Sequence, residues 1–505
     1  MRTYKQDVTG SVSSYRFLSL NAQANYIYAG KYILDANFSR MAHDNYAVDQ
    51  RWGNFWGVSA GWLMSEEPWL KSSSLDLLKL RASYGVSGQS STNSGRYQFQ
   101  STYATGTGYA FGYSQSTIGG YLEQRAGNPL NLWETTKMVN AGLDWDLGHR
   151  TFYGSLDAFH EWRGGMLVSR SNIPGLIGVS VANESYGKAV TYGGELVLGH
   201  QKQFGDFGYN IETQWTFNRN KIVDIDETTP DFPWLSKAGY SIRDNSEVHQ
   251  IYESGYSSNM QLGGWNIYKF VQWASDESKI ATSQEDAKAH PEKYPYNTAS
   301  AGHQPLGTAV FQDTNGDRQI DSNDMVPETF TMIPEIVGNF NIGFNWKGFD
   351  ARAIFTAYLN RSVFLSPSLP FSGWSNLATH EVVYAWGYYN DNPADERNIN
   401  AKYPRPAWGS FQDVDSNRST GTYKNDIWIR KGDYFSLRNI EIGYSLPKRL
   451  VAKANMTGVR IYATGYNLKN WAPDIPKECD PEKPMSYVWW YPKVNSFSFG
   501  INITF

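Results

Sequence analysis

Apolar and polar residues alternate with a period of two along most of this chain, which sends apolar side chains to one face of an extended strand and polar ones to the other. Between residues 139 and 147 the odd positions are Val139, Ala141, Leu143, Trp145 and Leu147, and the even ones are Asn140, Gly142, Asp144 and Asp146. The last strand is the purest: Phe497, Phe499, Ile501, Ile503 and Phe505 alternate with Ser496, Ser498, Asn502 and Thr504. The pattern predicts strands at 15–28, 31–40, 52–63, 77–86, 137–147, 151–163, 190–203, 207–220, 336–346, 350–361, 433–446, 457–470 and 493–505. At about 10 to 14 residues each they exceed the ~5 to 6 of soluble sheets, and suit tilted strands that cross a bilayer in about 9 to 11.

The connections alternate as well. Short turns such as Ala29-Gly30, Gly205-Asp206 and Lys347-Gly348-Phe349 are separated by long polar and aromatic loops near 87–136, 164–189, 221–335, 362–432 and 471–492. Long loops argue against a compact soluble domain, whereas outer-membrane barrels have short periplasmic turns and long extracellular loops. The fold class expected is therefore all-β, a transmembrane antiparallel β-barrel in the outer membrane. Parity adds that the last strand runs inward while the first starts from outside, so the expectation is a barrel portion missing an odd number of strands.

Composition supports the strands and excludes other classes. The 505 residues include 34 Tyr and 19 Trp, 15% are aromatic and 19% charged, and the mean hydropathy is -0.52. Disorder goes with few aromatics and high net charge; a spanning helix needs roughly 18 continuous apolar residues, and there is no such run. A net charge of -4 gives no support to nucleic-acid binding. The single cysteine, Cys479, rules out an intrachain disulfide and reads as a loop residue. No basic-then-apolar leader opens the chain.

Ordered stretches along the chain resemble the SusC/RagA-type outer-membrane importers of the TonB-dependent transporters of Bacteroidetes. They are residues 77–85 (LLKLRASYG), 128–137 (NPLNLWETTK), 313–317 (DTNGD), 435–447 (FSLRNIEIGYSLP), 465–468 (GYNL) and 499–505 (FGINITF). The resemblance runs from about residue 16 to the end and implies about 13 strands of a 22-stranded barrel, with the plug domain, the TonB-contacting segment and the signal peptide absent. It implies import of a glycan, oligosaccharide or peptide nutrient with a SusD-like surface lipoprotein, driven by the TonB system through the plug. It also implies that Phe505 is the aromatic C-terminal signal read by the barrel-assembly machinery.

The candidate chemistry is sparse. Asp313, Asn315, Asp317, Gln319, Asp321 and Asp324 occupy positions 1, 3, 5, 7, 9 and 12 of a calcium-loop frame, a spacing that lets oxygen ligands converge on Ca²⁺. Gly316 stands at position 4 and Arg318 at position 6, where the EF-hand pattern has glycine; the alternative is an Asn-Gly turn decorated by solvated acids. Trp52, Trp56, Trp62, Trp69, Trp162, Trp265, Trp273, Trp346, Trp489 and Trp490 fit aromatic girdles against outer-membrane lipid. Trp374, Trp386 and Trp408 lie in the 362–432 loop and are candidates for ligand or partner contact. No His-Glu-x-x-His, Gly-x-Ser-x-Gly or phosphate-binding glycine loop occurs, so the chain reads as a non-enzyme. The competing readings are a secreted all-β carbohydrate-active enzyme with structural calcium, and a passive or inert barrel fragment.

Overall fold

The computed structural model describes residues 15–71, 74–90, 96–113, 116–242, 267–279, 289–290, 292–293, 306–307, 309–317, 320–327, 330–365, 386–404, 425–477, 479–482 and 493–505. Thirteen strands form one antiparallel sheet in simple sequence order. They are β1 (Phe17–Tyr28), β2 (Tyr32–His43), β3 (Trp52–Leu63), β4 (Leu75–Gln89), β5 (Glu134–Leu147), β6 (Phe152–Val168) and β7 (Glu184–Phe204), then β8 (Phe207–Asp224), β9 (Ile336–Trp346), β10 (Phe349–Leu359), β11 (Tyr434–Ser445), β12 (Gly458–Trp471) and β13 (Ser496–Thr504). Each falls on a strand expected from alternation. The largest differences are at the long-loop end, where β6, β7 and β8 run several residues further. Among the described residues no helix is long and apolar enough to cross a membrane.

Register aligns the alternation of every strand. Leu143, Leu156 and Leu196 stand abreast on β5, β6 and β7, and Ile211 meets Ile342 between β8 and β9. A slip of one residue would turn an entire strand over. One face is thus apolar across the sheet and the other polar. The apolar face stays open, with Leu156 50% and Phe499 85% exposed, as lipid contact requires.

Turn chemistry holds the register at the short-turn end. Lys347 and Gly348 have φ of 47° and 88°, the pair of positive values that a two-residue type I′ hairpin needs. Just inside these turns, aromatic rings touch across neighbouring strands: Tyr28 with Tyr32, Tyr32 with Trp62, Trp145 with Phe152, and Phe349 with Tyr444. This is the belt expected at a membrane interface. Trp52, Trp56, Trp62, Trp162 and Trp346 lie on the apolar face as expected, their rows matching in the ladders, and Trp69 is exposed in the turn region before β4.

The long loops are not irregular throughout. A hairpin of Thr102–Phe111 and Ser116–Ala126 rises between β4 and β5, and Ser180–Val181 adds to it in parallel. Phe270–Trp273 pairs with Ala309–Phe311, and Ser362–Phe364 with Ile429–Lys431. These last two pairs belong to a loop body with its own core, drawn from the loops after β8, β10 and β12: Val363 and Leu365 are fully buried among Trp273, Tyr388, Trp428, Ile429 and Cys479. Trp273 corrects the girdle expectation. Its ring packs 4.5 Å from Phe270 and its Nε1 donates to the Ala401 carbonyl at 2.9 Å, because a water-facing loop body must hide its own apolar surface. Trp265, Trp489 and Trp490 lie outside the described residues.

Candidate functional site

The polar face carries two ionic clusters built on one plan. On the β4–β6 side, Gly142 of β5 stands opposite both Arg81 and Asp157. With no side chain at Gly142, the Arg81 guanidinium lies across the middle strand, holding Asp144 through Nε and Nη2 at 2.8 Å each and Asp157 at 2.8 and 3.0 Å. A Cβ at Gly142 would run into the Asp157 carboxylate and sit 2.8 Å from Arg81 Cζ. On the β10–β12 side, Gly443 stands opposite Asp350. Arg460 reaches over Gly443 to Asp350, with Nε to Oδ1 at 3.0 Å, and to Glu441 at 2.7 Å, whose other oxygen accepts from Thr464 Oγ1 at 3.0 Å. Between the two clusters, Tyr153 donates to Glu212 at 2.8 Å while its ring covers Gly199. Each arginine is shared by two carboxylates, and a further cation stands directly across the ladder from one acid of each cluster, Lys79 opposite Asp144 and Arg352 opposite Glu441. Bidentate arginine geometry fixes the strands' side chains in place.

These clusters were not anticipated from the sequence, because Arg81 lies 63 and 76 residues from its partners. The signal was available in the alternation: Gly142 and Gly443 leave polar-face positions empty, each two residues from an acid on the same face.

The structure brings the described calcium-frame residues, Asp313, Asn315, Asp317, Asp321 and Asp324, into one tight turn. Asp313 Oδ1 accepts from the Gly316 amide at 2.7 Å and Asn315 Oδ1 from the Asp317 amide at 3.0 Å. Asp324 is fully buried. Its Oδ1 accepts from the amides of Thr314 and Asn315 at 2.7 and 3.3 Å, and its Oδ2 from Asp321 at 2.8 Å. Asp321 in turn caps the short helix Ser322–Asp324. Burial pushes the Asp324 carboxyl above its ordinary range, against three amide bonds that pull it down, with the charge of Asp313 adding to the rise. Burial and the charges of Asp321 and Asp324 push the neighbouring Tyr268 phenol up to about 12. A cation would relieve this crowding of acids, although Asp324 already spends both oxygens on backbone. Gln319 lies outside the described residues, among which no group of three or more His, Cys, Asp or Glu side chains is arranged to hold a metal.

Trp386 is half exposed at the rim of the loop body. Its carbonyl accepts from the Lys402 amide at 2.8 Å, and Lys402 Nζ lies 4.6 Å above its ring. Three residues on, Arg397 covers the Tyr389 ring at 3.6 Å, and buried Asn398 ties the turn by accepting from the Tyr389 amide at 2.6 Å. Trp374 and Trp408 lie outside the described residues. Phe505 follows β13 at the short-turn end, continues the apolar-face parity and is 83% exposed.

An open apolar face, an aromatic belt, a charged inner face and long structured loops at one end make this the wall of an outer-membrane β-barrel. Across nearly its whole length the chain is similar to TonB-dependent receptors of the SusC type. It is 25% identical to TonB-dependent receptor P3 of Formosa agariphila over 99% of this chain and 47% of that relative. It is 23% identical to TonB-dependent receptor SusC of Bacteroides thetaiotaomicron over 97% of this chain and 44% of that relative. The chain therefore spans about half the length of the curated relatives it matches. In fold it matches the RagAB peptide importer in its open-open state with a TM-score of 0.66, at 18% identity, covering 97% of this chain and 47% of that one. The RagAB peptide transporter matches at 0.64. No family model matches the chain. These relatives are named as receptors and importers, not enzymes.

Proposed function

We propose that this chain forms the wall and outer loops of a TonB-dependent importer that takes up a glycan, oligosaccharide or peptide nutrient together with a SusD-like surface lipoprotein. The observation that carries the reading is the sheet itself: a lipid-compatible outer face backed by a fixed, charged inner face, in a chain similar to TonB-dependent receptors from end to end. A soluble sugar-cleaving enzyme would cover its apolar strand faces, and this sheet leaves them open.

Three narrower assignments go with it. Phe505 is the terminal aromatic read by the barrel-assembly machinery. The calcium-frame residues Asp313, Asn315, Asp317, Gln319, Asp321 and Asp324 would take Ca²⁺ by drawing together around the ion, because the described acids among them do not form a preformed site. Trp386, together with Trp374 and Trp408, contacts ligand or partner from the loop end.

The test is nutrient uptake in the source cells, comparing a strain that lacks this gene with one that lacks TonB. Loss of uptake of the same nutrient in both supports an energised importer. Uptake that persists without TonB overturns it in favour of a passive channel.

A further inference from the structure

At the short-turn end, the connection between β11 and β12 differs from the tight hairpins around it. It folds into the short helix Lys448–Val451 and a further turn at Ala452–Ala454. Val451 is buried, and the amides of Leu446 and Thr457 donate to the carbonyls of Val459 and Thr504 at 2.9 and 2.7 Å. The connection is therefore fastened to the rim of the wall. What it shows outward is Lys448, Arg449 and Lys453, all exposed, with Leu450 among them at 57% exposure. None of these three cationic side chains has an ion-pair partner among the described residues.

Elsewhere at this end cations come with acids: Lys31 with Glu67 at 3.1 Å, and Lys71 with Glu66 at 3.3 Å. Asp350 and Glu441, the acids of the adjoining strands, are already held by Arg460. The neighbouring hairpin adds to the charge. The Ser445 amide donates to the Gly348 carbonyl at 2.8 Å, which sets the Lys347 turn beside this one, with Lys347 Nζ 5.7 Å from the Trp346 ring. Phe349 and Tyr444, stacked at 4.5 Å, place the aromatic belt directly behind both turns.

We infer that this basic rim holds the anionic headgroups of phospholipids in the periplasmic leaflet. The inference goes beyond the import reading and needs only the place of the wall in the outer membrane. Aromatic belts mark the depth at which lipid headgroups begin, and short turns lie on the periplasmic side. Free cations at that depth meet lipid phosphate. Leu450 supplies the apolar contact that an interfacial segment buries at the headgroup boundary, which a soluble anion would leave unused. The rim thus ties the β10–β13 side of the wall to one class of lipid.

The test uses the protein extracted in mild detergent from the outer membranes of cells that produce it. Native mass spectrometry follows retention of added phosphatidylglycerol and, separately, phosphatidylcholine. The expected result is preferential retention of phosphatidylglycerol, lowered about fivefold by each of Lys448→Gln, Arg449→Gln and Lys453→Gln. Lys71→Gln, at a cation already paired with Glu66, leaves it unchanged. The heat-modifiable band on a gel reports that each variant is folded. In the parent protein, raising the salt concentration weakens the preference without any substitution.

Equal retention of the two lipids overturns the inference, as does a preference for phosphatidylglycerol that survives all three substitutions. An equal loss in Lys71→Gln would do so too, by showing that net charge alone is read. Displacement of the lipid by inorganic phosphate would assign the rim to a soluble anion instead.

Discussion

The wall and the loop body use the same residue types under opposite rules. In the wall, Leu156 and Phe499 are open on the outer face, and what the sheet covers is charge: Arg81 between Asp144 and Asp157, Arg460 between Asp350 and Glu441. In the loop body, Val363 and Leu365 are fully buried and the rim carries Lys402 and Arg397 stacked on Trp386 and Tyr389. The difference lies in the solvent. Hydrocarbon removes the drive to hide leucine and makes an uncovered charge expensive, while water does the reverse. The largest apolar core therefore sits in the loop body, and the shared-arginine clusters in the wall.

That contrast breaks most visibly in the loop body. Leu365→Ala should cost about 2–5 kcal/mol locally, the range for large-to-small changes in a closed core. Limited proteolysis should then cut the loops after β8, β10 and β12, while the heat-modifiable barrel band on a gel is unchanged. Loss of the barrel band as well would show that the loop body is not a separate unit. Next in size is Leu156→Arg, at roughly 2–4 kcal/mol for arginine facing mid-bilayer. It should weaken the barrel band and spare loop protection. If arginine there were neutral, the outer face would not be meeting lipid.

Removing the charge that the wall covers is a milder disturbance. Arg81→Met leaves Asp144 and Asp157 facing each other, part exposed, and should cost roughly 1–2 kcal/mol, between the exposed and buried limits for ion pairs. Gly142→Ala tests the same cluster without touching a charge, because its Cβ would press into the Asp157 carboxylate and the Arg81 guanidinium. Both variants should lower the denaturation midpoint of the barrel in the same direction. A Gly142→Ala wall as stable as the parent would mean that the arginine does not depend on the gap beneath it.

The two regions also differ in how far they can be read from sequence. Wall strands announce themselves because each repeats its period over about ten residues, and register then follows from matching faces, as with Leu143, Leu156 and Leu196. The loop body hides because its strands are only three or four residues long and their partners are distant: Ser362–Phe364 waits for Ile429–Lys431. No period can emerge from three residues, and so Trp273, which sits in such a strand, reads like any girdle tryptophan. The ionic clusters fall between these cases. Their residues were visible as polar-face positions, but which arginine crosses which glycine is decided by strand order, and order is tertiary.

The smallest expected effect is a pH dependence confined to the loop body. Burial raises the Asp324 carboxyl above the ordinary aspartate range in the folded protein. Just above that ordinary range the folded loop therefore holds a proton that the unfolded loop has already released. Stability rises with pH only where the unfolded state binds more protons; here the folded state binds more, so stability falls as pH rises from the ordinary aspartate value of 3.8 to the raised one, and is level beyond it. Tryptophan fluorescence reporting on Trp273 and Trp428 in the buried core, followed during denaturation with a calcium chelator present, should show this decline. Added Ca²⁺, if bound by the neighbouring acids, should reverse the slope, since a cation favours the ionised carboxylates. A loop stability that climbs with pH in chelator would mean that the three amide bonds to Asp324 outweigh its burial. The wall should show no matching inflection, because Asp324 is no part of its ladders.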